Sequence, residues 1–167
     1  AFRRHFETLP WRDAATDQPI VVACQNFKGG VGKSTTCVNL AHYLALKGYR
    51  VLVVDTDSQA TTTSMFGYVP DAEIDEDATI LPYLSGYQTT LDYAVRKTYW
   101  PNIDLIPACL ALYEAELAIV MHLAAQQDVD KRVQFFMELK YGLQTVADRY
   151  DVILLDSPPA LGMISIN

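Results

Sequence analysis

A glycine-rich segment with two lysines provides the clearest chemical signal in this sequence. It occupies residues 28–35 and follows the apolar run Ile20–Ala23. Glycines permit positive φ angles, so the backbone can turn its N–H groups towards an anion. A helix that begins near Gly32 would direct its positive dipole end to the same place. Lys33 would add a positive charge and Ser34 a hydroxyl ligand for magnesium, so the segment predicts a phosphate-binding loop.

The segment departs from the common phosphate-loop pattern G-x-x-x-x-G-K-[ST] at one position. That pattern would place a glycine where Phe27 stands, although its second half, Gly32-Lys33-Ser34, is intact. A flexible glycine turn between a strand and a helix is the alternative interpretation. The residues that follow favour the phosphate loop, because apolar side chains recur at helical spacing and Gly48 then ends the pattern. These helical positions are Cys37, Leu40, Ala41, Leu44 and Ala45.

Three aspartates follow aliphatic runs that are typical of buried parallel strands. Asp55 and Asp57 come after Val51–Val54, and Asp156 comes after Val152–Leu155. The carboxyl ends of parallel strands form the edge at which open α/β folds bind ligands. One such aspartate alone would more often cap a turn or a helix. Three of them beside a phosphate loop predict a site that holds magnesium and positions water.

Several of these segments resemble the ParA/MinD family of dimerising ATPases, whose deviant Walker A loop carries an additional lysine. Here that lysine is Lys28, five residues before Lys33 and followed by two glycines. The family also has a D-x-D-x-Q element, matched by residues 55–59, and a D-x-P-P element, matched by residues 156–159. Residues 99–107 and 110–116 are most similar to the RepA-like ATPases of plasmid and chromosome partitioning. The resemblance covers residues 19 to 167.

The resemblance implies that ATP and Mg²⁺ are the cofactors. Lys33 would bind the β and γ phosphates, Ser34 would bind magnesium, and Thr35 would contact the α phosphate. The nucleotide-binding residues implied in this way are Lys28, Gly29, Gly30, Val31, Gly32, Lys33, Ser34 and Thr35.

The resemblance also implies how hydrolysis would be controlled. Asp57 would position or activate the attacking water, while Asp55 and Asp156 would support the metal and its water shell. Lys28 would cross a subunit interface and contact the nucleotide of a partner subunit, so that hydrolysis depends on dimerisation. Lys28, Lys33 and Asp57 would therefore act in catalysis.

The family further implies an ATP-dependent homodimer, a centromere-binding ParB-like partner protein, and nonspecific DNA contacted through regions outside this chain. The charge balance agrees with the last point, because 13 basic and 20 acidic side chains give a net charge of −7. Such a balance argues against a broad nucleic-acid surface. No apolar run approaches the roughly 18 residues of a membrane span. We therefore expect a cytoplasmic, nucleoid-associated protein without membrane attachment.

Two alternative functions remain open from the sequence. One is a MinD-like ATPase that positions cell division, which would need a C-terminal amphipathic membrane helix. The other is a non-hydrolysing, nucleotide-dependent scaffold or regulator that binds nucleotide without turnover. Phosphate release, measured with and without DNA and the partner protein, separates partitioning from the scaffold.

Strand and helix patterns alternate along the chain and predict an α/β fold with a doubly wound, mostly parallel sheet and flanking helices, of the P-loop NTPase type. The predicted strands lie at 20–24, 51–54, 104–106 and 152–155, and the predicted helices at 34–47, 110–125 and 131–149. All strands but the third are near-continuous aliphatic runs, which predicts burial on both faces.

The domain organisation predicted from the sequence has three parts. Residues 1–18 are expected to be a linker or tail from an N-terminal region, and residues 19–167 a P-loop ATPase domain that is incomplete at its C-terminus. Within it, residues 67–101 are expected to form a helical insertion with two short helices, whose acidic run is a solvated loop. The three cysteines, at positions 24, 37 and 109, are expected to be reduced core residues.

Overall fold

The computed structural model describes residues 13, 17–125, 127–128, 130 and 135–159. Within these residues, five strands form one sheet in the order β1-β5-β2-β4-β3. The strands are β1 (Ile20–Cys24), β2 (Val51–Asp55), β3 (Arg96–Lys97), β4 (Ile103–Ile106) and β5 (Val152–Asp156). All neighbouring strands pair in parallel except β3, which pairs antiparallel to β4.

Helices connect the strands and cover both faces of the sheet. The α-helices are α1 (Lys33–Leu46), α2 (Thr61–Met65), α3 (Leu81–Leu84), α4 (Ala111–Ala125) and α5 (Glu138–Gln144). Three short 3-10 helices lie at Glu76–Ala78, Asp92–Ala94 and Ala147–Arg149. In the described part of the chain, no helix is both long and apolar enough to cross a lipid bilayer.

The alternating side chains of β2 divide the core into two layers. Val51 and Val53 pack with α1 on one face, whereas Leu52 and Val54 pack with α3, α4 and α5 on the other. All four side chains are fully buried. Because successive residues of a strand point to opposite faces, a strand buried on both sides must be apolar at every position. The predicted doubly wound α/β fold is therefore confirmed.

The prediction that β1 is buried on both faces is wrong. Ile20 is 66% exposed and Val21 is 51% exposed. Among the described residues, β1 pairs with β5 alone and stands at one edge of the sheet. An edge strand has a neighbouring strand on one side only, so its side chains have fewer packing partners. The aliphatic side chains of β1 therefore remain accessible, although its sequence resembles that of an interior strand.

The single helix predicted over residues 131–149 is also wrong in its extent. Residues 131–134 lie outside the described part of the chain, and α5 ends at Gln144 before a separate 3-10 helix. The Thr145 hydroxyl donates to the Gly142 carbonyl at 2.6 Å and accepts from the Leu91 amide at 3.1 Å. Thr145 is thereby bonded to Leu91 in the 67–101 segment. This contact competes with continued helix at Thr145, and α5 ends there.

The segment from 67 to 101 contains the two short helices expected there, as α3 and the 3-10 helix Asp92–Ala94. Its acidic side chains are exposed, as expected, while Ile74 and Ala78 between them are buried. The strand β3 and the 3-10 helix Glu76–Ala78 were not predicted. Cys37 and Cys109 are buried and free, but Cys24 is only half-buried. Most of the predicted linker, residues 1–12 and 14–16, lies outside the described residues.

Candidate nucleotide-binding site

The pairing of β2 with β5 places two aspartates side by side at the carboxyl edge of the sheet. Asp55 is in register with Asp156, and Asp156 is in register with Cys24 at the end of β1. Both carboxylates are completely buried, and Asp57 is 8% exposed. The strand register therefore brings Asp55 and Asp156 together, although about a hundred residues of chain separate them.

Asp55 is held by three hydrogen bonds. Its Oδ2 accepts from the amide and the hydroxyl of Thr63 at 2.9 and 2.8 Å, and its Oδ1 accepts from the Asp57 amide at 3.1 Å. Burial raises the pKa of Asp55 to about 7, and the charge of Asp156 adds to this rise, although the hydrogen bonds oppose it. A buried carboxylate beside a second one favours a cation in its neighbourhood.

Asp156 is only partly satisfied. Its Oδ2 accepts from the Thr62 hydroxyl at 2.7 Å, whereas its Oδ1 is buried without a hydrogen-bond partner among the described residues. Burial raises the pKa of Asp156, while the hydroxyls of Ser34 and Thr62 and the charge of Lys33 lower it. Ser34 and Lys33 therefore lie close to this carboxylate.

Asp57 belongs to a tight turn that starts immediately after β2. Its Oδ1 accepts from the Gln59 amide at 3.0 Å, and its carbonyl accepts from the Ala60 amide at 2.8 Å. The charge of Asp57 contributes to the raised pKa of Asp156, so the two side chains face the same space. The turn thus holds a third carboxylate at the same edge of the sheet, close enough for its charge to act on Asp156.

The phosphate loop lies between β1 and α1 and has the geometry that its glycines predict. Gly30 and Gly32 have φ angles of 71° and 87°, and space is open around both α-carbons. Gly32 precedes α1, and its carbonyl accepts from the Thr36 amide at 2.8 Å. Exposed residues form the loop from 25 to 31. The backbone is therefore accessible to an anion at the start of α1.

The structure brings some of the predicted loop residues to the carboxylates and leaves others apart. Lys33 and Ser34 are half-buried in the first turn of α1, next to Asp156. Thr35 and Val31 are exposed. Lys28 is also exposed, and within the described ranges its ammonium forms no ion pair. The Lys28 side chain is therefore accessible at the surface of the loop.

Sequence reasoning missed the threonines that support the carboxylates. Thr62 and Thr63 donate to Asp156 and Asp55, and the amide and hydroxyl of Thr56 both donate to the Asp156 carbonyl, at 2.9 and 2.8 Å. The only signal in the sequence is the run of three threonines at residues 61–63, directly after the D-x-D-x-Q element.

The donor atoms at this edge suit magnesium. Mg²⁺ prefers oxygen ligands and usually keeps several waters, so it needs few protein groups. The unpaired Oδ1 of Asp156 and the hydroxyl of Ser34 are such groups. Within the described residues, no three or more His, Cys, Asp or Glu side chains gather into a metal site. Phosphate and water oxygens would therefore complete the coordination, and a bound metal would polarise the phosphoryl group.

A parallel sheet whose first strand leads through a phosphate loop into a helix, with aspartates at the ends of neighbouring strands, defines a P-loop nucleotide-binding protein. The model of the AAA domain family matches residues 20–167. The chain therefore belongs to this family, and within it to the ParA/MinD-type P-loop ATPases. The resemblance stated from the sequence is confirmed.

Curated relatives agree with this assignment. Protein SopA of Escherichia coli (strain K12) is 41% identical over 151 residues, which cover 89% of this chain and 38% of SopA. The sporulation initiation inhibitor protein Soj of Bacillus subtilis is 36% identical over 147 residues, covering 88% of this chain and 53% of Soj. The chain thus spans between about a third and a half of the length of these relatives.

Solved structures show the same fold. Cobyrinic acid a,c-diamide synthase from Mycobacterium smegmatis, with a bound ATP analog and magnesium, superposes with a TM-score of 0.74 at 30% identity. The match covers 89% of this chain and 55% of that one. A plasmid partition protein from Borrelia burgdorferi superposes with a TM-score of 0.70 at 29% identity, covering 89% of this chain and 60% of its own.

Proposed function

We propose that this chain is the nucleotide-binding part of a ParA-type partitioning ATPase. It binds Mg-ATP, forms a dimer around the nucleotide and hydrolyses ATP to drive plasmid or chromosome segregation. The observation that carries the proposal is the common location of the phosphate loop and the unpaired, buried oxygen of Asp156. The similarity to SopA, Soj and a plasmid partition protein supports the partitioning role.

Different residues of the site perform different parts of phosphoryl transfer. The loop amides and Lys33 hold the phosphates, Ser34 ligates magnesium, and Asp156 and Asp55 hold its water shell. Asp57 orients the attacking water, because it is the most accessible of the three carboxylates. Transfer of a phosphoryl group depends mainly on position and on neutralised charge, and this arrangement supplies both.

Lys28 makes hydrolysis depend on the dimer. Its side chain is exposed and forms no ion pair with the residues that the structure describes. The ammonium can therefore pair with the phosphates of a nucleotide that the partner subunit holds. A second lysine on the phosphates neutralises the charge of the transition state. Turnover then requires two subunits, whereas nucleotide binding requires one.

The partners follow from the same role. A centromere-binding ParB-like protein stimulates turnover, and nonspecific DNA is contacted through regions outside this chain, in the cytoplasm at the nucleoid. The net charge of −7 supports the second point, because a DNA-binding surface needs an excess of basic side chains. Loss of ATP and of the dimer releases the DNA.

Molecular mass in solution tests the proposal. Light scattering compares the chain without nucleotide and with magnesium plus a non-hydrolysable ATP analogue, for the wild type, Lys28→Ala and Lys140→Ala. Lys140 is an exposed lysine on α5, so its replacement is a matched control for the loss of one charge. A nucleotide-dependent doubling that Lys28→Ala removes and Lys140→Ala retains is expected.

A doubling that persists in Lys28→Ala would contradict the contact across the subunit interface. Tight nucleotide binding without phosphate release, even with DNA and the partner protein present, would favour the non-hydrolysing scaffold.

A further inference from the structure

Two consecutive threonines in α2 point their hydroxyls at two different strands. Thr62 Oγ1 lies 2.7 Å from Oδ2 of Asp156, and Thr63 Oγ1 lies 2.8 Å from Oδ2 of Asp55. Both threonines are completely buried. Each hydroxyl therefore donates its single proton to a carboxylate oxygen at the edge where the nucleotide site lies.

The bond from Thr62 determines which oxygen of Asp156 is available. With Oδ2 occupied by the hydroxyl, Oδ1 is left without a partner, on a carboxylate that also lies near Ser34 and Lys33. A carboxylate held at one oxygen keeps its rotamer, and a fixed second oxygen presents a defined position to a metal ion or its water.

The bond from Thr63 extends the site towards α4. Thr63 Oγ1 also accepts from the Ala108 amide at 2.9 Å, in the loop between β4 and α4. Two residues further on, the Leu110 amide donates to Oδ1 of Asp71 at 3.0 Å. One threonine thus joins the carboxylate of Asp55 to the β4–α4 loop, which in turn contacts the acidic segment after α2.

We propose that Thr62 and Thr63 are positioning residues: Thr62 sets the Asp156 carboxylate for Mg²⁺, and Thr63 locks Asp55 to the β4–α4 loop. The inference rests on the proposed function, because it assigns the threonines a task in that same Mg-nucleotide site. The helix α2 would then orient two carboxylates of the site in addition to connecting β2 with the segment that follows it.

Nucleotide affinity in two buffers tests the role of Thr62. A fluorescent ATP analogue is titrated into the wild type, Thr62→Val, Thr62→Ser and Thr61→Val, once with magnesium and once with a chelator. Valine keeps the shape of threonine but removes the hydroxyl, serine keeps the hydroxyl, and Thr61 is an exposed neighbour in the same helix.

The expected result separates positioning from folding. Thr62→Val should reduce the gain in affinity that magnesium provides by about tenfold, the usual effect of removing a group that orients a metal ligand. Its affinity in chelator should stay close to that of the wild type, and Thr62→Ser and Thr61→Val should retain the full magnesium gain. Equal weakening in both buffers, or no change in either, would overturn the role of Thr62.

Thr62→Ser keeps the test decisive if the valine variant does not fold. A folded serine variant that loses the magnesium gain would overturn the inference, because its hydroxyl is still present. A wild type without nucleotide affinity in either buffer would instead overturn the proposed function, and the inference with it.

Hydrogen exchange tests Thr63 separately. In Thr63→Val, the Ala108 amide loses its acceptor and should exchange several-fold faster than in the wild type, and Thr63→Ser should restore the protection. Thr61→Val serves as the control. Unchanged protection of Ala108 in Thr63→Val would overturn the link between Asp55 and the β4–α4 loop.

Discussion

The carboxylates and the phosphate loop face the same space but are held in opposite ways. The carboxylate half, Asp55, Asp57 and Asp156 with the supporting Thr62 and Thr63, is buried and tied by hydrogen bonds between strands and α2. The loop half, residues 25–32 together with Lys33 at the start of α1, is largely exposed. Within it, the Lys28 amide donates to Oδ1 of Asn26 at 2.9 Å.

The difference indicates how the site divides its tasks. Mg²⁺ is small and requires a nearly ideal octahedral arrangement of ligands, so the side chains that hold it must be fixed in place. Burial and hydrogen bonds in the interior of the protein fix them. Groups that wrap a phosphate can be completed by the ligand itself, because the loop offers its amides and the anion orders them. Removing a buried hydrogen-bond acceptor from the carboxylate half should consequently lower stability, whereas removing the charge of Lys33 from the loop half should lower ligand affinity.

The largest expected effect is on ligand affinity in the loop half. Lys33→Ala should weaken nucleotide binding about 100-fold, because it removes charge-assisted bonds worth about 3 kcal/mol. Calorimetric titration with the ATP analogue measures the loss. The melting temperature should change little, since Lys33 is only half-buried and forms no ion pair with the residues that the structure describes. A large drop in melting temperature would contradict the proposed separation of tasks.

A stability effect should follow in the carboxylate half. Asp55→Ala leaves the amide and hydroxyl of Thr63 and the amide of Asp57 without their acceptor. Buried donors without partners should lower the free energy of unfolding by about 2 kcal/mol. Urea unfolding measures this change, with Lys28→Ala as the control in the exposed loop. An Asp55→Ala chain as stable as the control would show that this half is not held as described.

The carboxylate half should also respond to pH in the absence of magnesium. The pKa of Asp55 is raised to about 7 in the folded chain, so the folded state binds this proton more tightly than the unfolded state. Stability from this group is present below the ordinary aspartate range and is lost as the pH rises towards 7. Urea unfolding of the wild type should show this decline, and Asp55→Asn should flatten it. An equal decline in both chains would assign it to other groups.

The smallest expected effect separates backbone strain from packing in the loop half. Gly32→Ala should cost about 1 kcal/mol in the free energy of unfolding, because its φ of 87° is unfavourable for any residue with a Cβ. Gly29→Ala is the matched control: space is equally open there, but its φ is not positive. Equal effects of the two substitutions would show that the positive φ of Gly32 does not set the cost of adding a Cβ in the loop.

Local patterns were sufficient to predict the strands β1, β2 and β5, the helix α1, and the meeting of Asp55 and Asp156. These features depend on runs of apolar residues and on the rule that parallel strands end at one edge. The exposure of β1 was not predictable in this way, because it depends on the order of strands in the sheet. The end of α5 depends on the hydrogen bond that the Leu91 amide donates to the Thr145 hydroxyl, 54 residues away in the chain.

The threonines were missed for the same physical reason. Thr62 meets Asp156 across 94 residues of chain, and Thr63 meets Ala108 across 45. The spacing of residues in the sequence does not reveal such contacts. A threonine in a short helix can bond its own backbone or a distant carboxylate, and the local sequence is the same in both cases.

The register between Asp55 and Asp156 also bears on how such a site can change over evolution. Their separation is set by the spacing of two neighbouring strands, about 4.8 Å, and not by the length of chain between them. Insertions and deletions can therefore accumulate between β2 and β5 without moving the two carboxylates relative to each other. The exposed acidic part of the segment from 67 to 101 can vary in this way, so that new surfaces arise there while the two carboxylates keep their positions.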